Sequence, residues 1–81
     1  MSTWLSLSAW KLLCQLHEAY TTIIYTTDKV QARAARTLIR HGFAESGHSP
    51  EAWEQLELPD QVDIVITDEG DHYVTRRRRN L

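Results

Sequence analysis

DKVQARAARTLIRH, residues 28–41, predicts a helix in the middle of the chain. The segment contains no Gly or Pro, and most of its residues are good helix formers. Thr27 or Asp28 can serve as the N-cap, because either side chain can accept a hydrogen bond from the first turn. Gly42 follows where a left-handed C-terminal cap is expected, so both ends of the helix are marked.

The two faces of this helix differ in polarity. At about 100° per residue, Val30, Ala34 and Leu38 share an apolar face, with Ala35 and Thr37 at its edges. The opposite face carries four cations, hereafter the basic stripe: Lys29, Arg33, Arg36 and Arg40. No acidic residue stands four positions from any of them, so the helix offers them no pairing partner of its own. We expect the apolar face to dock on the protein and the basic stripe to face solvent or a partner.

The composition fits one small globular domain. The chain has 81 residues, 42% of them hydrophobic, and a formal net charge of −2, which argues against disorder. A single cysteine, Cys14, excludes an internal disulfide, and no apolar run approaches the roughly 20 residues of a membrane span. Residues 1–11 lack the basic start of a signal peptide. We therefore expect a cytoplasmic protein without a membrane partner, built as one domain over residues 1–75 and a basic C-terminal tail over residues 76–81.

Charge is segregated along the sequence. Residues 1–44 carry five cations and two acids, whereas residues 45–75 carry nine acids and no Lys or Arg. Four consecutive arginines follow at 76–79. This separation indicates charged partners more clearly than the net charge does.

Two elements are predicted before the central helix. Residues 8–20 repeat apolar side chains at spacings of three and four, which predicts a helix with a buried stripe. Residues 21–27, TTIIYTT, are β-branched or aromatic throughout and too short for a separate helix, which predicts a strand.

Two further elements are predicted after it. Residues 43–48 read as a connection, and a short helix follows at residues 50–56, with Ser49 as N-cap and Pro50 as its first residue. Residues 62–67, VDIVIT, alternate apolar and polar side chains and predict a strand.

The C-terminal part allows two alternatives. In the first, residues 68–71 form a turn and residues 72–76 return as a partner strand, which makes a β-hairpin. In the second, a helix begins at Thr67 and runs to the arginines. We favour the hairpin, because HYVT is typical of a strand and Gly70 weakens the first turns of a helix. The predicted fold is then a small α+β domain in the order helix, strand, helix, short helix, β-hairpin, with a three-stranded antiparallel sheet.

That order resembles the winged helix-turn-helix family, in which a two-stranded wing follows three helices and a short strand. Residues 35–45, ARTLIRHGFAE, are similar to the end of a recognition helix leading into the wing, and residues 66–70, ITDEG, to the Leu-Thr-x-x-Gly after it. The resemblance implies a DNA-binding transcription regulator. Element order makes residues 50–56 the recognition helix, whereas the local motif makes residues 28–41 that helix and leaves no room for the usual second helix.

Our first functional hypothesis is a small nucleic-acid-binding regulatory module that contacts DNA through the basic helix, with a homodimer as its expected form. Basic side chains bind phosphates, and arginine also recognises guanine in the major groove. The residues expected to bind nucleic acid are Lys29, Arg33, Arg36, Arg40, Arg76, Arg77, Arg78 and Arg79. The simpler alternative for the basic stripe is a helix face that is solvated or paired with the acidic half of the chain. The simpler alternative for the four terminal arginines is a frayed terminus that serves solubility.

The second hypothesis is a protein-binding inhibitor or adaptor of the phage or mobile-element type. Its acidic face would imitate a phosphate backbone and bind a basic protein partner. The residues expected to form this face are Glu51, Glu54, Glu57, Asp60, Asp68, Glu69 and Asp71.

The sequence gives no sign of catalysis or of a cofactor. It contains no Ser-His-acid constellation and no Gly-rich phosphate loop. Cys14 and His17 are three residues apart on one predicted helix, but a zinc site needs about four ligands and no second pair follows. We therefore expect a protein that is not an enzyme and has no metal site.

Overall fold

Helices and strands alternate along residues 5–79, the part of the chain that this computed structural model describes. The elements are α1 (Leu7–Ala19), β1 (Thr21–Tyr25), α2 (Lys29–Arg40), β2 (Ala44–Ser46), α3 (Pro50–Gln55), β3 (Gln61–Ile66) and α4 (Asp68–Arg79). The α+β class is confirmed. Both ends of α2 match the prediction: Asp28 is the N-cap, and Gly42 has a positive φ of 78°.

The three strands form one antiparallel sheet in the order β1-β3-β2. β3 lies in the centre, where Val62 pairs with Ile24 and Ile66 pairs with Ala44. The three-stranded antiparallel sheet is confirmed, but its third strand is β2, in the region predicted as a connection. β2 has only three residues, so the alternation that identifies a longer strand is not visible in it.

The C-terminal hairpin prediction is wrong, and the helix alternative is confirmed. Thr67 precedes α4 as its N-cap, since its hydroxyl accepts a hydrogen bond from the N–H of Gly70 at 3.1 Å. Acids in the first turn and arginines in the last complement the helix dipole, and Val74 is fully buried. The wing expected from the winged-helix resemblance is therefore not formed by residues 62–76.

Gly70 is required by packing and not by a turn. It lies in the first turn of α4, where a Cβ would overlap the carbonyl oxygen of Phe43 and lie 2.8 Å from Cγ1 of Ile66. Glycine is present because α4 approaches the strand ends closely, and no turn is formed there.

The core lies between the sheet and the helices. α2 contributes four buried residues: Ala32, Ala34, Ala35 and Leu38. Three of the four are alanines, and α1 packs against α2. The buried face differs from the predicted one, because Val30, expected to dock, is 61% exposed, while Ala32 is buried.

Candidate nucleic-acid interface

α2 presents the basic stripe on the side away from the core. Lys29, Arg33 and Arg40 are exposed and Arg36 is partly exposed. The four side chains nevertheless divide into two pairs with different surroundings.

The C-terminal pair of the stripe is bound by α3. The guanidinium of Arg40 donates from Nε and Nη2 to the two carboxylate oxygens of Glu54, each at 2.8 Å. Arg36 donates from Nη1 to the main-chain oxygen of Glu54 at 3.4 Å. Part of the basic stripe is therefore paired with the acidic half of the chain, as the simpler alternative expected.

This pairing shifts the protonation equilibria of both partners. The hydrogen bonds from Arg40 hold the pKa of Glu54 below its ordinary value, and the pKa of Arg40 is raised by the same contact. Because both side chains are about half exposed, solvent screens the pair, and its main effect is to fix the direction of Arg40.

The N-terminal pair of the stripe has no such partner. Within residues 5–79, the side chains of Lys29 and Arg33 make no ion pair or hydrogen bond. Arg33 borders a groove between α1 and α2, and Lys11 of α1 borders the same groove further along. These three cations are available to a ligand.

The groove consists of two adjoining depressions of about 210 and 200 Å³ that share Ser8, Val30 and Ala34. Hydroxyl groups and the start of α1 line the part nearest to Arg33: Ser6, Ser8 and Thr37. Asp28 also lines the groove, but its carboxylate accepts hydrogen bonds from the main-chain N–H groups of Val30 and Gln31 at the start of α2. The groove thus combines cations, hydroxyl donors and the positive end of a helix dipole.

The four C-terminal arginines lie in the last turn of α4, and residues 80 and 81 lie outside the described residues. Two of them are turned towards α1. Arg77 stacks its guanidinium 4.5 Å from the centre of the Trp10 ring, and Arg78 reaches Glu18 at 3.9 Å. Trp10 in turn packs edge-on against Tyr73.

The other two arginines of this turn face outward. Arg76 and Arg79 line a shallow depression on α4 together with Glu69, His72 and Thr75. This depression shares no lining residue with the groove, so the outward arginines stand apart from it.

The structure divides the acidic residues of the second hypothesis among several roles. Glu54 binds Arg40, and the carboxylate of Asp71 lies 2.9 Å from Nδ1 of His17, within hydrogen-bond distance. Asp68 and Glu69 stand in the first turn of α4, where negative charge is favoured by the helix dipole. Glu51, Glu57 and Asp60 are exposed around α3.

Sequence reasoning missed the groove and the part that Lys11 plays in it. Lys11 lies on the polar side of α1, and its spacing from the basic stripe along the chain carries no information about contact. Only the packing of α1 on α2 brings Lys11 and Arg33 to one groove.

Within residues 5–79, no group of three or more His, Cys, Asp or Glu side chains is placed to hold a metal ion. The helices of this part of the chain are also too short or too polar to cross a membrane. Comparison with protein-family models, with curated protein sequences and with solved structures gave no match. The winged-helix resemblance stays a hypothesis.

Proposed function

We propose that the protein is a small, non-catalytic nucleic-acid-binding module that contacts the phosphate backbone at the groove between α1 and α2. One observation carries this proposal: Arg33 and Lys11 border the same groove, and the exposed Arg33 and Lys29, one turn apart on α2, have no partner in residues 5–79. A cluster of cations that no acidic residue of the same chain neutralises is typical of a surface that binds a polyanion.

The groove suits phosphates more than base edges. Lys and Arg neutralise phosphates, while the hydroxyl of Ser8 and the N–H groups at the start of α1 supply further donors. The hydroxyl of Thr37 already donates to the main-chain oxygen of Arg33 at 3.0 Å. Arg36 and Arg40, which lie further along α2, are directed towards Glu54. We therefore expect binding with little sequence preference and micromolar affinity, in the range typical of non-specific contacts, about 10⁻⁴–10⁻⁶ M.

The outward arginines Arg76 and Arg79 give a second basic surface that extends the contact when the nucleic acid is long enough. They do not carry the proposal, because they stand apart from the groove. Replacing Arg76 and Arg79 is expected to lower the affinity for a long nucleic acid further, while the groove contacts stay intact.

Fluorescence anisotropy with a labelled duplex of random sequence tests the proposal. Lys29→Gln combined with Arg33→Gln removes two positive charges, and we expect affinity to fall about 30-fold, since two phosphate contacts of about 1 kcal/mol each amount to about 2 kcal/mol. A matched control, Gln55→Glu combined with Gln61→Glu, changes the net charge equally at exposed positions elsewhere. Equal losses in the two variants would show that net charge matters and the groove does not.

The protein-binding alternative stays a prediction. Five of its seven acidic residues have a partner or a helix-start role inside the fold, which leaves a small exposed set around α3. A continuous phosphate-like row needs more free carboxylates than this set offers. Absence of nucleic-acid binding in the anisotropy experiment would make a basic protein partner of Glu51, Glu57 and Asp60 the next candidate.

A further inference from the structure

β1 forms one edge of the sheet, and the hydrogen bonds around it show which of its main-chain groups point outward. The oxygen of Tyr20 accepts from the N–H of Ile66 at 3.0 Å, and the N–H of Thr26 donates to the oxygen of Asp60 at 2.9 Å. In an antiparallel ladder, residues that bond to the neighbouring strand alternate with residues whose groups point away. The N–H and C=O groups of the odd-numbered residues of β1 therefore face the free edge.

One of these residues is already satisfied within the chain. The N–H of Tyr25 donates to the side-chain oxygen of Gln31 at 2.8 Å, and its C=O accepts from the N–H of Asp28 at 3.0 Å. Within residues 5–79, the outward main-chain groups of Thr21 and Ile23 have no hydrogen-bond partner. Two donors and two acceptors are thus left in a row.

The side chains along this edge are uncharged and partly apolar. Tyr20, Ile23 and Tyr25 are 64%, 44% and 50% exposed. Residues 20–27 contain no charged residue and no Pro, and β1 pairs with β3 without a bulge. Natural sheets protect a free edge with Lys, Pro or a bulge, so an edge lacking all three is suited to pairing.

We propose that a second copy of this chain pairs with β1 in an antiparallel register that sets Thr21 opposite Ile23 of the partner. This register is self-complementary, because the same pair occurs twice about a two-fold axis at Thr22. It uses all four outward groups of each copy and leaves the hydrogen bonds of Tyr25 intact. Centring the pair on Ile23 would instead require the groups of Tyr25 that Gln31 and Asp28 occupy.

The charge pattern supports a second copy as the occupant. The rest of the surface is rich in charge, yet residues 20–27 offer none, so a charged partner finds nothing to recognise there. Two copies of a neutral strand meet without repulsion. Isologous pairing about a two-fold axis also closes after two copies and leaves no free β1 edge.

The pairing has a geometric consequence for the whole assembly. Two three-stranded sheets joined through β1 form one continuous six-stranded sheet, with the two-fold axis perpendicular to it. The helices α1 and α2 of each copy pack on the face that carries Ile24 and Ile64. Both helical layers, and both grooves, therefore lie on the same side of the dimer.

Sedimentation velocity of the full chain without nucleic acid, over a range of concentrations, tests this proposal independently of the proposed function. We expect a monomer–dimer equilibrium that Ile23→Lys weakens by about tenfold or more in Kd. Ile23→Pro removes only an outward N–H, which an edge strand tolerates, and is expected to weaken the dimer likewise. The matched control is Leu7→Lys, which places the same charge at another exposed aliphatic residue and is expected to leave the Kd unchanged.

Amide hydrogen exchange locates the interface. The N–H groups of Thr21 and Ile23 are expected to become protected as concentration rises, with no change at Tyr25. A chain that stays monomeric at all concentrations overturns the proposal. So does a dimer that survives both Ile23 variants with unprotected edge amides, since that dimer uses another surface. Circular dichroism of each variant checks that the monomer is folded.

Discussion

Replacing Gly70 by Ala tests the close approach of α4 to the strand ends. The added Cβ would overlap the carbonyl oxygen of Phe43 and lie 2.8 Å from Cγ1 of Ile66. Forcing a group into a packed site costs about 1–3 kcal/mol, and the upper part applies because the obstacle is main chain. Ala is favoured over Gly inside a helix by about 1 kcal/mol, which offsets part of that cost. We expect the free energy of unfolding to fall by about 1–2 kcal/mol.

Urea unfolding followed by tryptophan fluorescence and far-ultraviolet circular dichroism measures this change. The control is Gly47→Ala, because nothing lies within 4 Å of the added Cβ and its φ is not in the positive range. That variant is expected to match the original protein or to gain up to about 1 kcal/mol. A Gly70→Ala protein as stable as the Gly47→Ala protein would refute the packing of α4 against Phe43.

Two more predictions concern side chains that join elements. In the original protein the indole N–H of the buried Trp53 donates to the hydroxyl of Ser46 at 2.7 Å, and Ser46→Ala removes that acceptor. We expect the free energy of unfolding in urea to fall by about 1–3 kcal/mol. An unchanged unfolding midpoint would contradict the role of this hydrogen bond. Because the pKa of Glu54 is lowered in the folded protein, its pairing with Arg40 stabilises the fold above the ordinary glutamate pKa and is lost as pH falls through the lowered value. Carboxyl NMR titration should give Glu54 a midpoint below the ordinary glutamate value, and Arg40→Gln should raise that midpoint. An ordinary midpoint for Glu54 in the original protein would show that the pair does not form in solution.

The sequence allowed α2 and its caps to be predicted because the information is local. Asp28 accepts hydrogen bonds from N–H groups two and three residues later, and Gly42 adopts its positive φ next to the helix end. The strands β1 and β3 were equally clear, since their β-branched and alternating residues favour strands without help from the rest of the chain.

The C-terminal element was missed because its decisive contact is distant in sequence. Gly70 favours a turn when only its neighbours are considered, but a glycine is required there by the carbonyl of Phe43, 27 positions earlier. β2 was missed for a similar reason: three residues show no pattern until β3 lies beside them. In both cases tertiary packing overrides a local preference.

The candidate interface was predicted in part. The polarity of α2 placed the basic stripe on the outside, but which cations stay free depends on α3, whose Glu54 binds Arg40 from 14 positions away. Lys11 reaches the same groove only through the packing of α1 on α2. Charge along a sequence shows where cations are, and the fold decides which of them a ligand can use.

The most direct test of the proposed function is the salt dependence of binding to duplex DNA. With Lys11, Lys29 and Arg33 each neutralising a phosphate, the slope of log K against log salt should be about −2.7, which means a loss of about 40-fold between 50 and 200 mM. Arg33→Gln should reduce the slope by about 0.9. No binding at 50 mM, or binding that salt does not weaken, would contradict the account.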